Sequence, residues 1–287
     1  DLGADREKLI HAIDSLEIDG YELKFDRVIK NSVSAFKFDV MLTEHHDHES
    51  HGTEGHHHHH GHRHIGDIVR IIEGGALTPR ASELAKIMFG VVAEAEAKAH
   101  GVEVEQVHFH EVGAVDSIID IVGTAVCIDD LDPEYVVISP LSEGQGYVNC
   151  AHGTLPVPVP AVANIAAAHG LKLRITDTMG EMVTPTGAAI AAVLSSEREL
   201  PQEFKIDRIG IGAGTREYEN PNVLRVMLLK PEEGDVDTVT ELETNIDDCT
   251  PEAMGFVMDM LFKAGAKDAY FTGVQMKKSR PGVLLTV

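Results

Sequence analysis

The chain of 287 residues has no tryptophan, and its aromatic share is only 5%. Its interior must therefore be built from aliphatic side chains. Cysteine is scarce: Cys127, Cys150 and Cys249 are odd in number, far apart, and form no C-x-x-C. That excludes a disulfide framework and points to a reducing cytoplasm. Cys127 sits in an apolar helical run and reads as core. No apolar run approaches the roughly 18 residues of a membrane span. The opening residues DLGADREKL are polar and are no signal peptide. Cations are also short: 24 Lys and Arg face 47 Asp and Glu, a formal net charge of −23. Without a basic footprint, nucleic acid and anionic membrane are excluded as partners, whereas attraction of metal cations fits. The chain opens at Asp1 without Met and stops at Val287 inside the apolar run GVLLTV, so it reads as a piece of a longer protein.

What is present is an ordinary globular composition, 43% hydrophobic and 25% charged. The length allows one large domain or two small ones. Residues 5–16 place Leu9, Ile10, Ile13 and Leu16 at helical spacing. Two alternating strands follow, around Tyr21–Phe25 and Phe36–Leu42. Helix resumes from Ile65. A long helix runs from Thr78-Pro79, a capping residue followed by a first-turn proline, to Gly101. The alternation of VEQVHFHEV (104–112) predicts a strand, and a helix follows from Asp116 to Asp130. A strand is expected over 135–140, and an extended, proline-rich loop over 144–160. Helices are expected from Pro160 to His169 and from Thr184-Pro185 to Leu194. GIGAG (210–214) reads as a turn before a strand at 223–229. The polar stretch 231–237 marks a domain boundary. Beyond it the pattern is strand, helix from Thr250-Pro251 to Ala264, strand, turn and strand.

The fold class is thus mixed α/β. A domain over 1–230 carries a disordered His-rich loop at 45–64, and a partial ferredoxin-like domain covers 237–287. Of 17 histidines, 11 lie between His45 and His64. Dense exposed imidazoles, here including His56, His57, His58, His59, His60, His62 and His64, make interchangeable sites for nickel, zinc or copper. A segment with nothing apolar to bury cannot hold one geometry, so delivery or buffering fits it better than catalysis. The plainer reading is a solvated linker.

Two further constellations carry chemistry. His108 and His110 would share one face of a strand, with Glu111 beside them, and Asp116 and Asp120 share one face of the next helix. Together they could form an ordered nitrogen and oxygen site. The alternative is that Asp116 caps the helix and Asp120 bonds to nearby backbone. Past the boundary, Glu243, Asn245, Asp247 and Asp248 end a strand, with Glu252 in the following first turn. Such oxygen donors suit a hard ion shared with phosphates. Lys277, Lys278 and Arg280 are rare cations and would serve a phosphate clamp. The alternative is a helix cap and a charged hairpin. His152, in a glycine-flanked turn, reads as structural. The GxGxG at 210–214 does not open a helix, so it is no dinucleotide fingerprint, and no phosphate-binding P-loop occurs.

HFHEVGAVDSIIDIVG, NCAHGTLPVPVPA, GEMVTPTGAA, and ETNIDDCTPE followed by MKKSRPG resemble the LarC nickel-insertion family, as does the His-rich loop ending in HRHIGDI. The resemblance covers almost the whole chain. It implies a CTP-dependent nickel chelatase of the lyase class. Such an enzyme places Ni²⁺ into a pyridinium bis-thiocarboxylate mononucleotide and so makes the nickel-pincer cofactor of lactate racemase and related enzymes. It implies CTP bound with Mn²⁺ or Mg²⁺ in the C-terminal domain. Asp247 and Asp248 become metal–nucleotide residues, with Asn245 beside them. Lys277, Lys278 and Arg280 become phosphate residues, and Asp247, Asp248 and Lys277 the catalytic set. His108, His110, Glu111 and Asp116 become nickel- or cofactor-handling residues. The implied partners are the mononucleotide, CTP and the recipient racemase, and a homo-oligomer is left open. The family's short Gly-rich acidic opening segment and the rest of its C-terminal domain are missing here. The rival from the residues alone is a nickel store or metallochaperone without catalysis.

Overall fold

The computed structural model describes residues 1–42, 63–107, 115–150, 153–231 and 239–287. The His-rich segment from residue 45 to residue 62, His108 to Glu111 and His152 lie outside them. The chain forms two compact units, Asp1–Glu232 and Glu233–Val287.

The first unit is organised around helices. Its elements are α1 (Arg6–Asp14), β1 (Tyr21–Lys30), β2 (Val33–Leu42), α2 (Ile65–Gly74), α3 (Pro79–His100), α4 (Val115–Leu131), β3 (Leu141–Gln145), β4 (Tyr147–Cys150), β5 (Gly153–Pro156), α5 (Pro160–His169), β6 (Leu173–Met179), α6 (Pro185–Leu194), β7 (Phe204–Ala213) and β8 (Val223–Pro231). The central helix α3 begins and ends as its sequence dictates. The Thr78 hydroxyl accepts from the Ala81 N–H, Pro79 fills the first helical position, and Gly101 closes the helix at φ 67°. It packs against α2, α4, α5 and α6. Met88, Phe89 and Val92 of α3 are wholly buried with Ile118, Ile121 and Val122 of α4 and Val162 of α5. Alanines at 85, 125, 188 and 189 let these helices approach closely.

Helix α1 lies antiparallel along α4. Asp5 and Lys8 at its start bond to Asp130 near the end of α4. One turn on, Leu9 and Ile13 face Gly123, in the middle of α4. The far end of α1 therefore lies toward Asp120 and Asp116.

The largest sheet has the order β1-β2-β7-β8. β1 and β2 form a hairpin closed by Asn31 and Ser32, both at positive φ, a turn that matches strand twist. β2 meets β7 through the parallel pair Phe36 and Gly212. β3 pairs with β6 in parallel, and β4 with β5 antiparallel.

Four expectations change. Val104–Gln106 is a single 3-10 turn rather than a strand. Val104 and Val107 are three residues apart, so this turn puts both on the side facing α3, and Val107 is buried. Over 135–140 only Val136 pairs, through one bridge to Ser195. The supposed loop over 144–160 contains the end of β3 and the β4–β5 hairpin. Finally, β7 runs straight through the glycines at 210 and 212. Gly210 is there because Leu2 lies against it, where a Cβ would not fit.

The second unit consists of β9 (Glu243–Ile246), α7 (Pro251–Lys263), β10 (Tyr270–Met276) and β11 (Arg280–Thr286). The Thr250 hydroxyl caps α7 by accepting from the Ala253 N–H, and Pro251 follows at the first helical position. β11 is central and antiparallel to both neighbours, so β9 and β10 are parallel with β11 between them. This is the split β-α-β arrangement of the ferredoxin-like order read from the sequence.

Candidate functional site

In the second unit, two strand ends coincide. Because β9 and β10 are parallel, their C-terminal ends share one edge of the sheet with the start of β11. Asn245 pairs with Leu284 inside the ladder, and Asp247 and Asp248 follow directly in the turn to α7. At the same edge, Lys277, Lys278 and Ser279 reverse the chain between β10 and β11. Lys278 and Ser279 sit at φ 62° and 56°, left-handed backbone that non-glycine residues seldom adopt. Gly282 allows the approach, since a Cβ there would run into Met276 and the Ile246 carbonyl. The result is carboxylates beside cations: an Arg280 guanidinium nitrogen lies 3.5 Å from the Asp247 carboxylate. Asp247, Asp248, Lys277, Lys278 and Arg280 are all exposed. The fold thus gathers at one edge what the sequence separates by some thirty residues. Oxygen donors next to three cations can hold a hard divalent ion and neutralise phosphates together.

In the first unit, Asp116 opens α4, and its carboxylate accepts from the Ser117 N–H at 2.8 Å. Asp120 stands one turn on, while its backbone carbonyl accepts from the Thr124 hydroxyl. Ile118, Ile119, Ile121 and Val122 on either side of Asp120 are buried. Asp120 is open to solvent on one flank, but burial first and the Asp116 charge second push its carboxyl up to about 6. A carboxyl that holds its proton more tightly in the folded chain favours folding when protonated. That contribution is present at acid pH, below the ordinary carboxylate range, and is lost as pH rises through about 6. Asp120→Asn is therefore expected to raise the melting temperature of the metal-free chain at pH 7.5 and to leave it unchanged at pH 4. The open flank keeps the difference to a few degrees at most. Thermal melts at both pH values check this, and equal melting at pH 7.5 would count against a desolvated carboxyl.

Of the other sequence candidates, His64 stands at the N-cap of α2, where its backbone N–H donates to Asp67 at 3.0 Å. Asp67 in turn holds Arg70. His56 to His62, His108, His110 and Glu111 lie outside the described residues. Among the described residues, no three His, Cys, Asp or Glu side chains converge as a metal cluster.

One residue escaped sequence reasoning. Glu143, in β3, is wholly buried. Its Oε1 accepts from the N–H groups of Gly144, Met182 and Val183 at 2.7, 2.8 and 3.2 Å. Its Oε2 is buried without a hydrogen bond. The carboxylate ties the segment before α6 to β3. A Cβ on Gly144 would overlap the Gly180 carbonyl oxygen, so the two backbones touch there. Outside this anchor, the Glu181 carbonyl accepts from Arg216 and from the Tyr218 hydroxyl. The available signal was a lone carboxylate in SEGQG, flanked by small residues in a strand.

A family profile described as nickel insertion protein matches residues 1–287. A protein of Alkaliphilus metalliredigens named pyridinium-3,5-bisthiocarboxylic acid mononucleotide nickel insertion protein is 48% identical over 306 residues, covering 100% of this chain and 73% of that protein. Proteins of the same name from Acetivibrio thermocellus and Geobacillus kaustophilus are 41% and 43% identical. They are matched by 100% of this chain over 70% and 71% of their own lengths. No solved structure matches. No helix among the described residues is long and apolar enough to cross a membrane.

Proposed function

The chain belongs to the nickel insertion protein family, and from that premise we propose that it is a nickel chelatase acting on a pyridinium bis-thiocarboxylate mononucleotide, with CTP as the nucleotide that drives the step. The product would be the nickel-pincer cofactor of lactate racemase-type enzymes, made in the cytoplasm and passed to the recipient racemase. The two units divide the work: residues 1–230 handle nickel and 237–287 handle the nucleotide. The observation that supports this most is the shared sheet edge, where the Asp247 carboxylate meets Arg280 beside the lysine turn.

The donor set there fits the nucleotide. Asn245, Asp247 and Asp248 offer hard oxygen ligands for the Mn²⁺ or Mg²⁺ that accompanies a triphosphate. A bound divalent ion would neutralise phosphate charge. Arg280 exchanges its Asp247 partner for a phosphate oxygen, and Lys277 and Lys278 add point charges on a turn whose backbone is already fixed.

Nickel is the cargo. The histidines between 45 and 64 would raise its local concentration. His108, His110 and Glu111 with Asp116 would hold it with nitrogen and oxygen donors, which must be deprotonated to bind. Thiocarboxylate sulfur then competes for the ion, and softer ligation favours transfer to the pincer ligand.

The test is an absorbance assay for the nickel–sulfur complex. The chain, extended to its natural ends, is mixed with Ni²⁺, Mn²⁺ and the metal-free pyridinium ligand, with and without CTP. CTP-dependent growth of the nickel–sulfur band is expected. Nickel binding without insertion under any nucleotide would instead leave a nickel store built on the histidine-rich segment.

A further inference from the structure

The sheet β1-β2-β7-β8 has one face that the helices cover only in part. Its side chains are placed by the strand registers. Arg27, Phe36, Gly212 and Leu224 stand in one row across the four strands, and directly opposed residues share a face. Ile29 on β1 and Val226 on β8 lie two residues along their strands, on the same side. Helix α1 covers one end of this face, where Arg6 stacks on the Phe25 ring. The rest is open. Ile29 is 68% exposed, Leu224 69% and Val226 39%. A Cβ placed on Gly212 would meet nothing within 4 Å among the described residues.

Residues 1 to 3 cross this face. The Asp1 carboxylate pairs with Arg27. Leu2 covers Gly210, and Gly3 lies against the Arg208 guanidinium. Gly210 and Arg208 are successive same-face positions on β7, so residues 1 to 3 run along that strand against its direction. Traced backwards, the same line leads from Gly210 to Gly212, into the row of Arg27, Phe36 and Leu224. From β1 to β8 that row spans three strand spacings, about 14 Å, which is room for one helix or strand. Glycine keeps the floor low at 212 as it does at 210 beneath Leu2. The row is also the seam of the sheet: among the described residues, Phe36 and Gly212 are the one pair that joins β2 to β7.

We propose that the residues preceding Asp1 in the natural protein form an apolar segment that covers this row, with one side chain seated over Gly212 and others against Ile29, Phe36 and Leu224. The match spans 73%, 70% and 71% of the three relatives' lengths, so more than a quarter of each lies outside it. A segment joined to Asp1 needs no linker to reach the face, because Asp1 already stands on it. A second copy of the chain is a poorer occupant. Two chains of net charge −23 repel one another, whereas a segment of the same chain is held at high effective concentration. Covering Ile29, Leu224 and Val226 removes apolar surface from water. It also clamps the β1–β2 and β7–β8 hairpins together across their single joining pair.

The experiment uses the natural chain, with the residues that precede Asp1, beside the chain that starts there. Leu224→Cys, Ile29→Cys and Lys24→Cys are each labelled with a maleimide, and the rate at the new thiol is read by peptide mass. Lys24 is exposed on the opposite face of β1. In the natural chain the thiols at 224 and 29 are expected to react at least about tenfold more slowly than the one at 24, because a covered thiol waits for local opening. In the chain starting at Asp1 all three should react at similar rates. Gly212→Val gives a second reading. Gly212 is not left-handed and valine suits a strand, so in the shorter chain melting should not fall. In the natural chain the valine would meet the covering side chain, and the melting temperature should drop by about 5 °C. Equal rates at all three thiols in the natural chain, or a Gly212→Val that is neutral there, overturn the proposal. Protection that appears only at concentrations where sedimentation shows a dimer also overturns it, and places a second copy on the face.

Discussion

Glu143→Ala is expected to unfold the first unit, or to leave it so marginal that it melts below physiological temperature. Three N–H groups, two buried and one half-buried, converge on one oxygen of this side chain. An alanine leaves all three without an acceptor, at about 1–3 kcal/mol each. Domains of this size are stable by only about 5–15 kcal/mol, so the sum is a large part of the whole. Glu143→Gln gives a graded comparison. Its amide oxygen can still accept the same three N–H groups, but without the charge that strengthens them. Its NH₂ replaces an oxygen that already lacks a partner. The glutamine variant should therefore fold with a clearly lowered melting temperature, between wild type and alanine. Thermal unfolding followed by circular dichroism decides it. If Glu143→Ala melts with wild type, the carboxylate does not anchor the segment before α6.

The second large effect lies in the other unit. Asp248→Ala combined with Lys277→Ala is expected to lower CTP-dependent nickel insertion by at least about a hundredfold, the scale seen when one preorganised donor is removed from an oxyanion-binding site. The proposed nucleotide site loses an oxygen ligand and a phosphate cation at once. Both side chains are exposed, so the fold should be retained. Nickel uptake, assigned to the first unit, should not change. The absorbance assay reads the first quantity and equilibrium dialysis against Ni²⁺ the second. A double variant that inserts nickel at the normal rate would remove the sheet edge from the mechanism. Loss of nickel uptake as well would show that the units do not divide the work.

Where capping residues and helical spacing act together, sequence and structure agree closely. Thr78-Pro79, Thr184-Pro185 and Thr250-Pro251 each open a helix at the residue read from the sequence. These signals are local, since a hydroxyl reaching the third N–H of a helix needs nothing from the rest of the chain. What stayed hidden depends on distant partners. The glycines at 210 and 212 look like a turn until Leu2, two hundred residues away, is seen lying on Gly210. The run VEQVHFHEV reads as a strand, yet Val104 and Val107, three residues apart, face α3 together from a 3-10 turn. Glu143 carried no motif at all, because its partners are backbone groups that a sequence does not display. The sheet edge was half legible. Its acids and bases could be read as clusters, but only the parallel relation of β9 and β10 explains why they meet.

The pairing of β2 with β7 also has a consequence in time. It joins residues 36 and 212. On a ribosome adding about 5–20 residues per second, the β1–β2 hairpin waits on the order of 10–35 s before its neighbour emerges. Through that interval one edge of β2 carries open hydrogen-bonding groups. Met41 and Leu42, at its far end, are apolar and exposed even in the finished fold. Nascent chains are therefore most vulnerable to sticking to one another after the core helices have formed and before Gly212 has been made.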